Sequence, residues 1–457
     1  MKELPQGWST TTLGKITTIR TGKLDANAAS PDGQFPFFTC SETPLRINSF
    51  SFDTEAVLLA GNGGFSIKWF KGKFDAYQRT YVIEPTLVHG RYLYRLVSFV
   101  LPSITNAERG STIPYLRVGD ITGAAAPLAP LPEQKRIADK LDTVLARVDA
   151  CRDRLDRIPA LLKRFRQSIL AAATSGRLTE DWRATHHCGT GAPDVDSPTT
   201  RNVSLGEEQL AVPETWKRCT LSDLINKKRP LCYGVVQPGN EADDGVPLVR
   251  VQDMENGAIL IAGLRTVSKS VDLEYKRSRV VAGDLLVSIV GTIGRTAVVP
   301  SGFEGNIARA IARIAPSANV LAQWLDCWLS TPAVQWWLLS SSREVARKTL
   351  NLAQLAETPV AVPSLDEQLE IVRRVETLFA FADRLEARLA TARKQAGQLT
   401  PALLAKAFRG ELVPQDPNDE PATELLKRLA TQRDNAPKPK RRRGSATLAA
   451  SIGDSSC

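Results

Sequence analysis

The sequence predicts an α+β protein in which two mixed α/β globular domains alternate with two long helices, whose matched seams can pair with each other within the chain about a pseudo-twofold axis. Two repeats predict it. LPEQKRIADKLDTVLARVD from Leu131 and SLDEQLEIVRRVETLFAFAD from Ser364 carry one helical pattern 234 positions apart. LPQGWSTTTLGKI near the start and VPETWKRCTLSDLI after the first helix set Trp8 and Trp216, and Leu13 and Leu221, 208 apart. The unequal offsets, 208 and 234, assign about 26 extra residues to the second domain, and such insertions belong in loops.

In the first helical copy the apolar residues fall at Ile137, Leu141, Val144, Val148, Cys151, Leu155, Ile158, Leu162, Phe165 and Ile169. In the second they are Ile371, Val375, Leu378, Ala382, Leu385, Leu389, Ala392, Ala396, Leu399 and Leu403. Spacings that alternate between four and three keep one stripe facing a partner helix, which marks a coiled-coil seam. Pro132 and Glu133 open one copy, and Asp366 and Glu367 the other; a first turn tolerates a missing amide and favours negative charge. Gly176 and Gly410 follow the last periodic residues and can close each helix in a left-handed conformation. At roughly 1.5 Å per residue, about 40 residues make a rod of roughly 60 Å. Pro159 lacks a backbone donor and predicts a bend or break in the first helix. Arg393 holds the matching position in the second, which is expected to be straighter.

The domains read mainly as strands. AVLLAGNGGF and QRTYVIEP in the first, and GDLLVSIVGTIGRTAVVP and GNIARAIARIAP in the second, are apolar or β-branched runs bounded by glycine and polar residues. RYLYRLVSFVLPSI and LAQWLDCWLSTPAVQWWLLSSS read as helices.

At 457 residues with 43% hydrophobic composition, the chain can bury substantial cores. No apolar run approaches the roughly 20 residues of a membrane span, and MKELPQGW lacks a signal-peptide core, so a cytoplasmic location is expected. Seven scattered cysteines without a CxxC, and three histidines, suggest neither a disulfide frame nor a metal site. His186, His187 and Cys188 stand together only in a polar linker. The net charge of +10 permits a polyanionic partner. Half of it comes from KPKRRR, Lys438 to Arg443, in a Pro, Ser and Ala tail that reads as a disordered basic end, a nucleic-acid arm or a localisation signal.

Motifs for catalysis are absent: there is no GxxxxGK[ST], GxGxxG, [DN]PP[YF] or HExxH, and Glu274-Tyr275-Lys276 lacks the Pro-Asp partner of a nuclease site. No catalytic residue and no metal ligand is assigned. The domains instead hold basic, aromatic and amide side chains beside turns: Lys68, Lys71, Lys73, Tyr77, Gln78, Arg79 and Thr112 in the first, and Arg250, Gln252, Thr292, Arg295, Asn306 and Arg309 in the second. Arg, Lys, Asn and Gln read base edges, while Ser and Thr can hold phosphates.

The order of these parts resembles the specificity subunit of type I restriction-modification enzymes, and the resemblance covers almost the whole chain. It is carried by GWSTTTLGKI, FDAYQRTYVIEP, STIPYLRVGDI, PLPEQKRI and SILAAATSGRLTEDW in the first half. PLVRVQDMENG, GDLLVSIVGTIGRTAVV, LNLAQLAETPVAVPSLDEQLEI, ALLAKAFRGELVPQDP and EPATELLKRL carry it in the second. The resemblance implies target-recognition domains at 1–131 and 214–361 and conserved helical regions at 132–178 and 362–412. A linker at 179–213 and a C-terminal segment at 413–457 complete the chain. It implies a non-catalytic subunit that reads a bipartite, asymmetric sequence in double-stranded DNA, one domain per half-site, with the two helices paired as an antiparallel intramolecular coiled coil that serves as spacer. Half-sites on one face of B-DNA lie about 34 Å apart per helical turn, within reach of such a rod. Two modification subunits using S-adenosylmethionine, and restriction subunits using ATP and Mg, are the implied partners. Arg147, Arg154, Lys163, Arg164, Arg373, Arg384 and Arg388 on the outer helix faces are expected to dock the modification subunits. A protein-binding coiled-coil adaptor and a fused DNA-modifying enzyme are the alternatives from other classes.

Overall fold

The structure, a computed structural model, describes residues 3–105, 115–186, 210–342 and 348–434. The chain folds as two compact units, one built from residues up to 155 together with those from 392 onward, the other from residues 156–391. Both long helices, Leu131–Thr174 and Leu365–Phe408, are 44 residues long, and each is divided between the two units. The start of the first helix packs with the end of the second in the first unit, and the reverse holds in the second unit. This is the antiparallel pairing that the family resemblance implies.

The first unit is built around a six-stranded sheet in the order Thr17–Thr21, Thr80–Pro85, Phe52–Ala60, Ile67–Ala76, Phe35–Phe38, Leu45–Ile47. One face packs on the helix Gly90–Thr105 through Val57, Leu59, Ile83, Leu93, Leu96 and Val97. The same core takes in Ile137, Ala138, Leu141 and Leu145 of the first long helix and Leu404, Ala407 and Phe408 of the second. It also takes in Ala422, Leu425 and Leu429 of a final helix, Ala422–Asp434. The C-terminal segment thus contributes Ala422, Leu425 and Leu429 to the core of this unit; the basic run 438–443 lies outside the described residues.

In the second unit a four-stranded antiparallel sheet, Cys232–Tyr233, Ile311–Ile314, Leu285–Ser288, Thr296–Val298, stands beside a three-stranded one, Arg265–Val267, Val246–Val249, Asn306–Ile307. The apolar run after Leu321 makes two helices, Ala322–Leu329 and Pro332–Ser340, because Pro332 starts a new first turn. Trp324 and Trp328 are buried in a core shared with Ile169, Leu170 and Ala173 of the first long helix and Ile371 and Val375 of the second. Residues 180–185, expected in a linker, form a short helix whose Asp181 pairs with Arg374 at 2.6 Å.

The two units repeat one internal design. A two-stranded antiparallel ribbon closes the base of each domain, Ser9–Thr12 with Ala125–Leu128 and Lys217–Thr220 with Pro359–Val362. Glu133 and Glu367 do more than favour a helix start: both are 1% exposed, and each accepts an indole N–H, from Trp8 and from Trp216, at 3.0 Å. Burial pushes the Glu133 carboxyl above its usual range, against the hydrogen bonds from Trp8 and Gln415. The next residues, Gln134 and Gln368, each accept a backbone N–H that begins a domain helix, from His89 at 3.0 Å and from Leu321 at 2.9 Å. Gly176 and Gly410 adopt φ of 74° and 73°, as the left-handed helix ends require. A Cβ on Gly176 would lie 2.3 Å from Pro213, and one on Gly410 would lie 2.2 Å from Pro5. Arg183 donates both to Glu367 and to the Gly176 carbonyl, while Gln415 donates to Glu133 at 3.3 Å and to the Gly410 carbonyl at 2.6 Å.

The seam departs from its expected form in the first unit, where Cys151 and Leu399 are exposed. Arg152 takes the seam position there, donating to Ala396 O at 2.9 Å, Thr400 Oγ1 at 3.0 Å and Gly397 O at 3.4 Å. The helix runs through Pro159 without a break, and the second helix also holds a proline, Pro401, inside it. A helical proline strands the carbonyl four residues earlier. For Pro159 that is Leu155 O, which accepts from Arg393 Nη2 at 3.3 Å; for Pro401 it is Gly397 O, which accepts from Arg152. Each proline gap is thus bridged by an arginine of the other helix. Because Pro159→Ala restores the helical donor, Arg393→Met should cost about 0.5–1 kcal/mol less in that background than alone. Thermal melts of the four-member cycle measure the difference, and strict additivity would show that no bridge operates.

Candidate nucleic-acid interface

The basic segment of the first domain is a single long strand, Ile67–Ala76, ending in a turn at Gln78 and Arg79. Strand alternation puts Lys71 and Lys73 on the face of Trp69, and Lys68 on the face of Phe70 and Phe74. Lys71 lies opposite Glu55 and Lys73 opposite Asp53 on the neighbouring strand, and the Glu55 carboxylate accepts from the Trp69 indole N–H at 2.9 Å. Lys73 also sits 4.7 Å above the Phe50 ring. Lys68 is half-buried, donating to Ser41 O at 2.6 Å and Ser66 Oγ at 2.7 Å. Burial lowers its ammonium pKa, while Cys40 and Glu42 pull it back up.

Six residues separate Lys71 from Tyr77, about 20 Å of strand, so residues adjacent in sequence do not form one patch. The turn is a separate feature. Tyr77 N donates to Phe38 O and Gln78 N to Leu24 O, both at 2.9 Å, which fixes the turn backbone and leaves the Gln78 and Arg79 side chains exposed. Thr112 lies outside the described residues.

Asn306 is a correction. It is fully buried, donating to Asp272 Oδ1 at 3.0 Å and accepting from Ser278 Oγ at 2.6 Å. Its amide ties the three-stranded sheet to the helix Lys269–Glu274 and is closed to any base. Tyr275, within the nuclease-like fragment, gives its carbonyl to the same amide at 3.2 Å. The Arg250 guanidinium is held by Asp253 at 2.9 Å and 3.1 Å. Beside it, Arg295 donates to Val251 O and Met254 O at 3.1 Å each, which brings the turn carrying Thr292 and Arg295 against the segment carrying exposed Gln252. Gly291 and Gly294, at φ of 76° and 84°, make that turn possible. Arg309 is exposed in the turn before Ile311, and no partner is seen for its guanidinium among the described residues.

On the helices, Arg147, Arg154, Lys163, Arg164, Arg384 and Arg388 are exposed. Arg373 is exposed but paired with Glu370 at 2.7 Å. With Arg374, it holds the Glu370 carboxyl down at about 2. The cations that join the helices are others: Arg152 and Arg393 in the first unit, and in the second Arg166, which bonds Asp383 at 2.6 Å. His186 stacks on Trp182 at 4.5 Å; His187 and Cys188 lie outside the described residues. Sequence reading also passed over a dense cationic cluster in the second unit around Lys228, Lys276, Arg277 and Arg313, although the runs KKR and KRSR were there to signal it.

Comparison with known proteins gives this architecture a family. The family model described as type I restriction modification DNA specificity domain matches twice, over residues 5–160 and 213–392. The type I restriction enzyme EcoDI specificity subunit of Escherichia coli is 37% identical over 94% of this chain and 96% of its own length. The EcoBI specificity subunit, also of Escherichia coli, is 44% identical over 75% of this chain and 72% of its own. In fold, the chain is similar to the crystal structure of the HsdS subunit from Thermoanaerobacter tengcongensis. The TM-score is 0.55 at 18% identity, over 90% of this chain and 98% of that one. Both the doubled match and the doubled architecture place each repeat in the same domain type, and the chain belongs to the type I restriction-modification DNA specificity family.

Proposed function

We propose that this chain is the sequence-recognition subunit of a type I restriction-modification complex, reading a bipartite asymmetric DNA target with one recognition domain per half-site. The observation that carries this reading is the doubled design itself. Trp8 on Glu133 and Trp216 on Glu367 attach two domains of different internal structure to the same places on two equal helices. Equal mounts carrying unequal readers suit two different half-sites, with the helix pair as spacer.

Exposed Gln78 and Arg79 in the first domain, and Gln252, Thr292, Arg295 and Arg309 in the second, are the proposed base-reading residues, since amide and guanidinium groups match base edges. The exposed helix cations, led by Arg147, Arg154, Lys163, Arg164, Arg384 and Arg388, are the proposed docking surface for two modification subunits. Those subunits would bring S-adenosylmethionine, and restriction subunits ATP and Mg, in the cytoplasm. Coexpression with the modification subunit in a methylation-free host, followed by long-read mapping of N6-methyladenine, should reveal two specified segments separated by an unread spacer. A continuous palindrome, or methylation by the chain without its partner, would sink the reading.

A further inference from the structure

The second unit contains a cavity of about 350 Å³ whose lining includes six cations, Lys228, Arg229, Lys276, Arg277, Arg279 and Arg313, and no acidic residue. They come from three segments: the turn before Cys232, the 3-10 turn Lys276–Ser278 with the residue after it, and the strand Ile311–Ile314. Two are neutralised from behind. Arg229 is forked onto Asp284 at 2.6 Å and 2.7 Å, and Arg279 is paired with Asp272. Burial disfavours the charge on Asp272, yet Arg279 and Asn306 hold its carboxyl below the usual range.

The other four cations have no carboxylate partner among the described residues. Lys228, Lys276 and Arg277 are exposed at the rim. Arg313 is 4% exposed; its Nη2 donates to Pro230 O at 2.9 Å, and its buried Nε has no partner among the described residues. A buried guanidinium with a free donor at the floor of an acid-free basic cavity is built to receive an anion.

We propose that this cavity seats the phosphodiester backbone of duplex DNA, fixing the position of the second recognition domain without reading bases. The proposal rests on the DNA reading above. Two arginines held in place by Asp284 and Asp272 give rigid donors, and rim lysines give adaptable point charges, a division that suits successive phosphates of a polyanion. Apart from Pro230, Cys232 and Val281, every side chain of the lining carries a positive charge.

The test uses the full chain coexpressed with its modification subunit, and two fluorescent duplexes, one with the mapped target and one scrambled, titrated between about 50 and 300 mM KCl. For Lys276→Ala with Arg277→Ala, affinity should fall by a similar factor for both duplexes. The slope of log affinity against log salt should shrink by about 0.9 for each phosphate that is no longer neutralised. Lys228→Ala, on another segment, should act in the same direction, and the methylated sequence should not change. An unchanged slope in both variants overturns the proposal, as does a loss confined to the target duplex, which would mean base reading. Competition by polyglutamate that the variants abolish, with the DNA slope unchanged, would overturn it in favour of an acidic protein partner. A wild-type complex that binds neither duplex overturns the DNA reading itself and this site with it.

Discussion

Exchange of residues 13–124 for the matching segment of a relative with another target will change one half of the methylated sequence and leave the other half intact. Three or four altered base pairs at about 1–3 kcal/mol each remove on the order of a hundredfold or more in affinity for the original site. The graft limits come from the ribbon. Thr12 pairs with Ala125, and Leu13 N donates to Ala124 O at 3.0 Å, so the inserted domain leaves and returns at one place. Leu221 N and Thr358 O, at 2.8 Å, mark the same junction in the second unit for exchange of 221–358. Cutting at 131 instead would carry Trp8 and the ribbon away with the domain and separate Trp8 from the Glu133 it was matched to. Donor residues at Tyr92, Leu93 and Leu96 must keep apolar volume, because that core is shared with Ile137, Leu141 and Phe408. Long-read methylation maps decide the outcome: a change in both halves would mean that the domains do not read independently.

Phe408→Ala should destabilise the first unit by about 3–5 kcal/mol, the usual cost of removing a buried aromatic ring. Phe408 is 2% exposed, 5.0 Å from the Phe99 ring and 5.4 Å from Tyr92, although it lies far from both along the chain. Hydrogen exchange should show loss of protection in Gly90–Thr105 and Phe52–Ala60, with Leu285–Ser288 unaffected. Phe408→Leu should recover much of the loss, since it refills most of the cavity. Loss of protection confined to the second unit would refute the assignment of this residue to the core of the first.

The repeated architecture was legible because period and punctuation are local properties. Alternating three and four spacing, Gly176 and Gly410 after it, and the doubled Trp-containing opening gave the helices, their ends and the duplication; the direction in which the helices pair came from the family resemblance. The strand runs around Val57 and Leu285 were legible for the same reason. The candidate site was much less so. Asn306 reads as a base-reading amide until the sheet buries it on Asp272 and Ser278. Hydrogen-bond partners distant in sequence carry no periodic signal.

The sequence by itself determined that the protein is a duplicated arrangement of domain and long helix without recognisable catalytic motifs, because heptad spacing and helix-ending glycines act over a few residues. Tertiary structure alone decided how the parts close on one another. It put the end of the second helix and Ala422, Leu425 and Leu429 into the first unit's core, set Arg393 and Arg152 over the carbonyls stranded by Pro159 and Pro401, and gathered Lys228, Lys276, Arg277 and Arg313 into one cavity. Each of these depends on which buried polar or apolar group most needs a partner, and that partner lies wherever the fold brings it, not near it in the chain.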